Sequence, residues 1–380
     1  MNAVVAKAPP LENSSFSLRQ ARSLVKDLNT PKPWIYWTDF LVSVISGHVL
    51  FMALIHDHDH PWLGGTPAVQ WSIRVLMYVA IVLLFSRSAM FTHELVHLPR
   101  EGFRSFRFAW NLLCGIPFLI PSFMYYPHVE HHRRKSYGTE EDGEYLNLSH
   151  RSPWQIVVYM LLVFVTPIVG FLRFAVLSPI GWVFPAVRRW NFRRASTMVM
   201  DIMYRRPEAG ARVMRTMAIQ EVLCFLFCMW FAFRWLWRYP GEFYDPLWLQ
   251  GYLVAVGILT MNNIRTLGAH RWTGEGAELT FEQQLLDSCD YPYRPWFTEL
   301  WGPVGLRYHA THHVFPGIPY HNLGKAHRAL MAGLPPDSIF RETVKVSLLG
   351  EIAQLWRRAS EANRNRRGRQ AAAADLRSAA

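Results

Sequence analysis

Four long apolar runs constrain this chain more than anything else in it. Residues 36–55 (YWTDFLVSVISGHVLFMALI) and 71–92, with Arg74 and Arg87 near the two ends, are each about as long as a membrane-crossing helix. Residues 222–233 carry no charge and are extended by 218–220 and by a snorkelling Arg234. Residues 246–264 form a fourth uncharged stretch. Segments of this kind can satisfy their backbone in lipid only as helices or as a closed barrel, and unbroken apolar runs exclude the alternation that a barrel needs. The expected fold is therefore an all-α membrane protein with about four transmembrane helices. Charged residues make up 18% of the chain, against about 25% in soluble proteins. The sixteen Trp and fifteen Tyr suit membrane interfaces. Mean hydropathy is only +0.04, so roughly half of the chain faces water. Four cysteines give no disulfide framework. Cys224 and Cys228, one turn apart in an apolar run, are read as small buried hydrophobes.

Two further apolar stretches are broken. Residues 108–127 are uncharged but contain Gly115, Pro117 and Pro121, and 152–187 hold Arg173 with Pro167, Pro179 and Pro185. Both are expected to be re-entrant or interfacial. The stretch 188–215 is rich in arginine (Arg188, Arg189, Arg193, Arg194, Arg205, Arg206, Arg212, Arg215), whereas 56–70 and 239–245 hold no Lys or Arg. The positive-inside bias then puts 93–107, 128–151, 188–215 and the C-terminus in the cytoplasm. The expected division is a cytoplasmic N-terminal segment over 1–35, a membrane domain over 36–335, and a basic cytoplasmic tail over 336–380 that ends frayed and carries no chemistry. Residues 1–15 show no charged start followed by an apolar core, so no cleaved signal peptide is expected. A net charge of +12 comes without any nucleic-acid motif, so nucleic acid is not an expected partner.

The sixteen histidines are clustered. His93 and His97 form HELVH, His128, His131 and His132 form HVEHH, and His309, His312 and His313 form HATHH. His270 follows the fourth run in RTLGAH. Residues at i, i+3 and i+4 share one helix face, so each cluster projects its imidazoles from one stripe. Nine imidazoles exceed what one ion takes and suit two, with positions left open. Imidazole suits iron, copper, zinc and nickel alike. HELVH alone also matches the zinc-protease pattern with Glu94 as general base, but a protease would leave most of the other histidines idle. His56, His58 and His60 alternate with Asp57 and Asp59 in what reads as an exposed polar loop. His48 reads as a satisfied core residue, His150 and His327 as surface residues, and His321 as a contact that supports a ligand without being one. Glu130, Glu140, Glu141 and Asp142 flank the second cluster, as orienting carboxylates or as solvated charges.

HELVH, HVEHH and HATHHVFPGIPYHNL together resemble the three histidine boxes of the integral-membrane fatty acid desaturase and hydroxylase superfamily, over about residues 37–330. RTLGAHRW resembles the region that supplies an extra histidine in its acyl desaturases. The resemblance implies metal ligands His93, His97, His128, His131, His132, His270, His309, His312 and His313, holding two iron ions in a cytoplasmic histidine-rich cap. It implies an oxidoreductase that uses oxygen to desaturate an acyl chain on coenzyme A, carrier protein or lipid, with hydroxylation as the alternative outcome. Where some relatives carry an Asn one turn before the extra histidine, this chain has Thr266, with Asn263 two turns back. Neither a His-Pro-Gly-Gly haem-carrier motif nor a G-x-G-x-x-G element occurs, so electrons are expected from a separate donor such as ferredoxin with its reductase. Arg133, Arg134, Lys135 and the arginines of 188–215 are read equally as contacts for a phosphate or carboxylate and as charges that only set topology.

Overall fold

The computed structural model describes residues 16–378, and among these the regular structure is helical, with isolated bridges and no strand. Five helical segments are long and apolar enough to cross a membrane: Pro33–Asp59, Pro67–His97, Thr166–Val183, Ala211–Arg238 and Pro246–Ala269. Four of them are the four apolar runs. Three of the four begin at a helix-start signal: Pro33, Pro67 and Pro246 sit in the first turn, while Thr66 and Asp245 cap with their side chains. Only 17–39% of each apolar window is buried, so these helices turn their apolar surface outward, as lipid as solvent requires.

The two broken segments go in and come back. Residues 104–110 are helical, 111–115 form a π-turn, and Leu119 takes a left-handed backbone with φ 56°. The dip is closed at its base by Asn111, whose Oδ1 accepts from Ser122 N at 2.9 Å and whose Nδ2 donates to Ser122 Oγ at 3.0 Å. At its tip, Phe118 packs edge-on against Phe85 at 4.8 Å, and the Leu113 carbonyl accepts from His48 Nε2 at 3.0 Å, halfway along the first long helix. His48 is thus the satisfied core residue expected.

The second dip runs along the helix Pro246–Ala269. The Tyr159 carbonyl accepts from Asn263 near one end of that helix, and the Phe164 carbonyl accepts from Tyr252 nearer the other. The chain then returns through Thr166–Val183. There Arg173 pairs with Glu221, donates to the Ala195 carbonyl and bonds Ser178, so this helix begins and ends within a hairpin. Its return is fixed by Met198 N, which donates to the Met124 carbonyl beside the second histidine box.

The C-terminal residues correct one expectation. Instead of ending frayed they form a helix, Leu348–Ser378, which buries Leu355 and Ala359 against Leu148 and Leu267. Arg358 donates to the Arg271 carbonyl and to Ser149 Oγ. At the other terminus, Leu18–Val25 packs Ala21 and Val25 onto Leu330 and Leu334.

Candidate metal centre

All nine histidines meet at one end of the helix bundle, in two groups. His93, His97, His128, His132 and His312 form the first; His131, His270, His309 and His313 form the second. Within each group the candidate ligand atoms lie within 4.8 Å of one another. His93 and His97 end the second long helix, and His270 follows the last residue of the fourth. The short helices His128–His131 and His309–Val314 carry the rest. The second box splits between the groups: His128 and His132, at i and i+4, face the first, and His131 faces the second. The third box splits likewise, with His309 and His313 on the second group and His312 on the first. His132 and His313 join the two, with ring centroids 4.4 Å apart.

The nitrogens crowd as ligands around a cation could. His132 Nε2 lies 2.9 Å from His128 Nε2 and 3.2 Å from His312 Nε2. In the other group, His309 Nε2 lies 2.8 Å from His270 Nε2 and 3.1 Å from His313 Nε2. Such spacings match nitrogens set about 2.1 Å from a shared ion at right angles, which lie about 3 Å apart. Both ring nitrogens of His93 and Nε2 of His97 are buried with no hydrogen-bond partner. Buried polar atoms are rarely left so, and a metal in the first group would take up one nitrogen of each of these rings. Burial, and after it the neighbouring charges, holds His128, His132, His309, His312 and His313 well below the ordinary histidine range, so they stand as neutral donors. His131 differs: burial works to lower it, but Asp142 above all raises it past that range.

The outer nitrogens are fixed by acidic partners. His131 Nδ1 sits 2.8 Å from Asp142 Oδ2, and His128 Nδ1 sits 2.9 and 3.0 Å from the two oxygens of Glu144. A proton held on Nδ1 leaves the Nε2 lone pair free for a metal. Burial raises the Glu144 carboxyl to about 8, against the pull of His131. His270 Nδ1 donates to Tyr137 Oη at 2.8 Å, and Tyr137 passes its own proton to Asp287 at 2.7 Å. Of the four flanking carboxylates considered from sequence, Asp142 orients a ligand. Glu130 instead binds exposed Arg133, and Glu141 accepts from Ser136. Glu144, Tyr137 and Asp287 went unanticipated.

Several other residues stand differently from expectation. Glu94 accepts the Tyr36 hydroxyl at 2.6 Å and the Tyr320 amide at 3.1 Å, so the glutamate of HELVH ties helices together and is not poised as a base. His327 is buried, not on the surface, with Nδ1 2.8 Å from Asp290, which also caps the third box through Thr311 N. His321 touches no ligand: it accepts from Lys32 N and packs on Tyr36 and Tyr320. Asn263 turns away to the Tyr159 carbonyl. His56 and His58 belong to the last turn of a helix, not to a loop, and the intervening Asp57 is buried. His150 is half-exposed. Cys224 and Cys228 are buried with Met217 and Phe174, as expected of small hydrophobes. Arg188, Arg189, Arg193, Arg194 and Arg205 share a groove of about 790 Å³ with Trp190 and Phe192.

The sequence model of the family described as fatty acid desaturase matches residues 66–343. A ceramide hydroxylase of Caulobacter vibrioides is 33% identical over 369 residues, covering 94% of this chain and 98% of that protein. No solved structure matches the chain.

Proposed function

The chain belongs to the fatty acid desaturase family, and within it we propose a membrane-bound, oxygen-dependent lipid hydroxylase that acts on a ceramide-type lipid. The oxygenase reading is carried by the two groups of crowded imidazoles, whose orphaned nitrogens ask for two metal ions. Iron is the metal proposed, since the task is oxidation of an unactivated carbon. Two irons held there would supply the oxidising power; with oxygen, two electrons and two protons, one oxygen atom would enter the product and the other would leave as water. The protein's own residues do the rest. Asp142, Glu144 and the Tyr137–Asp287 pair hold three ligand rings in one tautomer and orientation, and the surrounding aromatic packing keeps bulk water away.

Hydroxylation is placed ahead of desaturation because the similar protein named a ceramide hydroxylase aligns over nearly its whole length with nearly all of this chain. The order given from sequence, where RTLGAHRW favoured an acyl desaturase, is thereby inverted. Both outcomes start with removal of one hydrogen. They part on whether oxygen returns to that carbon or a second hydrogen leaves the neighbouring one. Electrons are proposed to come from a separate carrier, such as a ferredoxin with its reductase. The positive-inside bias supports a cytoplasmic site. Mass spectrometry of lipids from a host that supplies ceramide and expresses the gene tests the reading. Lipids gaining one oxygen are expected, with none in a host carrying His312→Ala. Chains that lose two hydrogens without any hydroxylated ones would reverse the order again.

A further inference from the structure

Four arginines lie within the apolar segments with a carboxylate partner each: Arg74 with Asp57, Arg87 with Asp39, Arg173 with Glu221 and Arg234 with Asp245. Arg265 does not follow them. It sits on the fourth long helix, five residues before His270, and no carboxylate among the described residues lies within ion-pair distance of it. One terminal nitrogen donates to two neutral oxygens of its own helix, Asn262 Oδ1 at 2.9 Å and Thr266 Oγ1 at 3.0 Å. Its Nε is buried with no partner. An unpaired cation at this depth is costly, and such residues in membrane helices mark where a substrate or ion is handled.

Its surroundings point to a space shared with the metal centre. Arg265 lies within electrostatic reach of His93 in one histidine group and His309 in the other, and of Tyr125, Tyr159 and Glu144. Tyr125, Asn262, Arg265 and Thr266 are only part-buried, and Glu144 keeps 17% of its side chain accessible. Each therefore keeps some accessible surface. Asn262 and Thr266 add a neutral amide and a hydroxyl to the same rim. A purely hydrocarbon chain would leave this rim unsatisfied, whereas the amide and hydroxyl oxygens of a lipid head would meet its free donors.

We propose that Arg265, with Asn262 and Thr266, is the anchor for the polar head of the lipid substrate, so that oxidation falls close to that head and not in mid-chain. The inference rests on the reading of the site as a lipid oxygenase. Five residues of helix separate Arg265 from His270, about 7.5 Å along the axis, the length of about six carbon–carbon bonds. The oxidised carbon should therefore lie within about six bonds of the anchored oxygen.

The test uses the full-length protein in membranes, with ceramide, a free fatty acid and a phospholipid as probes, since amide, carboxylate and phosphate all offer oxygen acceptors. Tandem mass spectrometry locates the modified carbon, and wild type, Arg265→Met and Arg265→Lys are compared for KM, kcat and bound metal. The expected result is modification near the head, with KM for the accepted lipid raised about 10- to 100-fold in Arg265→Met, partly restored in Arg265→Lys, and bound metal unchanged. Modification in mid-chain by the wild type, or an unchanged KM in a metal-replete Arg265→Met, overturns the anchor. Should Arg265→Met lose its metal, the wild-type position and Arg265→Lys still decide. A hydroxyl in mid-chain sinks this inference but leaves the hydroxylase standing. A double bond near the head does the reverse.

Discussion

The long helices end in polar residues at both ends of the bundle, and the two ends treat them in opposite ways. At the end away from the histidine centre everything is closed. Asp57 accepts from Arg74 Nε at 2.8 Å and from the amides of Trp62 and Leu63, Asp59 accepts from Tyr239, and Asp245 pairs with Arg234 while capping Leu247. At the other end, imidazole nitrogens crowd to 2.9 and 2.8 Å of one another, and five of the rings have buried nitrogens with nothing to bond. A polar group satisfied within the protein builds the scaffold; a set of buried groups left short on purpose awaits a ligand. Histidines and acids occur at both ends, so composition does not separate the two. Completion of the bonding does.

The sharpest way to break this contrast is to remove a ligand. His312→Ala takes one ring from the five-histidine group. Bound metal should fall and activity drop by more than the roughly 100-fold that loss of an outer partner costs. Metal analysis beside turnover checks it. A variant that keeps full metal and activity would mean that the crowding of nitrogens serves packing only.

The next effect is smaller and concerns the acids behind the rings. Glu144→Gln and Asp142→Asn each keep the side chain's size while replacing a carboxyl oxygen that His128 or His131 bonds. Metal affinity should weaken about 10- to 100-fold, read by competition with a chelator. Substituting Glu130, which binds only exposed Arg133, should leave affinity as it is. Equal losses at all three acids would show a general charge effect in place of directed orientation.

The same contrast explains what could be read without a structure. The ligands were legible because i, i+3 and i+4 spacing is a local property of helices, and the parity of crossings followed from run lengths. The acids were not, because four or five carboxylates crowd residues 130–144 and only the turn at Gly138 decides that Asp142 and Glu144 face the rings. Tyr137 meets His270 and Asp287 across more than a hundred residues of chain, which no local pattern reports. His327 was legible and missed: it shares the buried face of the helix Tyr320–Gly333 with Leu323, Ala326 and Leu330, at helical spacing. The dips were half-legible, from Pro and Gly. The Asn111–Ser122 clasp that returns the first of them is tertiary.

The smallest functional effect belongs to the closed end, and it separates scaffold from site. Asp57→Ala leaves Arg74 and two backbone amides without their acceptor, all far from the nine histidines along helices of 27 and 31 residues. Breaking a buried pair from one side costs about 3–5 kcal/mol, and Arg74, which is partly exposed, lowers that toward about 2 kcal/mol by reaching water. The melting temperature in detergent should therefore fall. Metal bound per folded chain and turnover per metal should not change, because no group at the centre loses a partner. If turnover per metal fell in step with stability, the two ends would be coupled through the second long helix, Pro67–His97, and the far clamp would belong to the site after all. With turnover unchanged, the ion pairs at the far end serve to fix the helices whose other ends present the histidines, and nothing more.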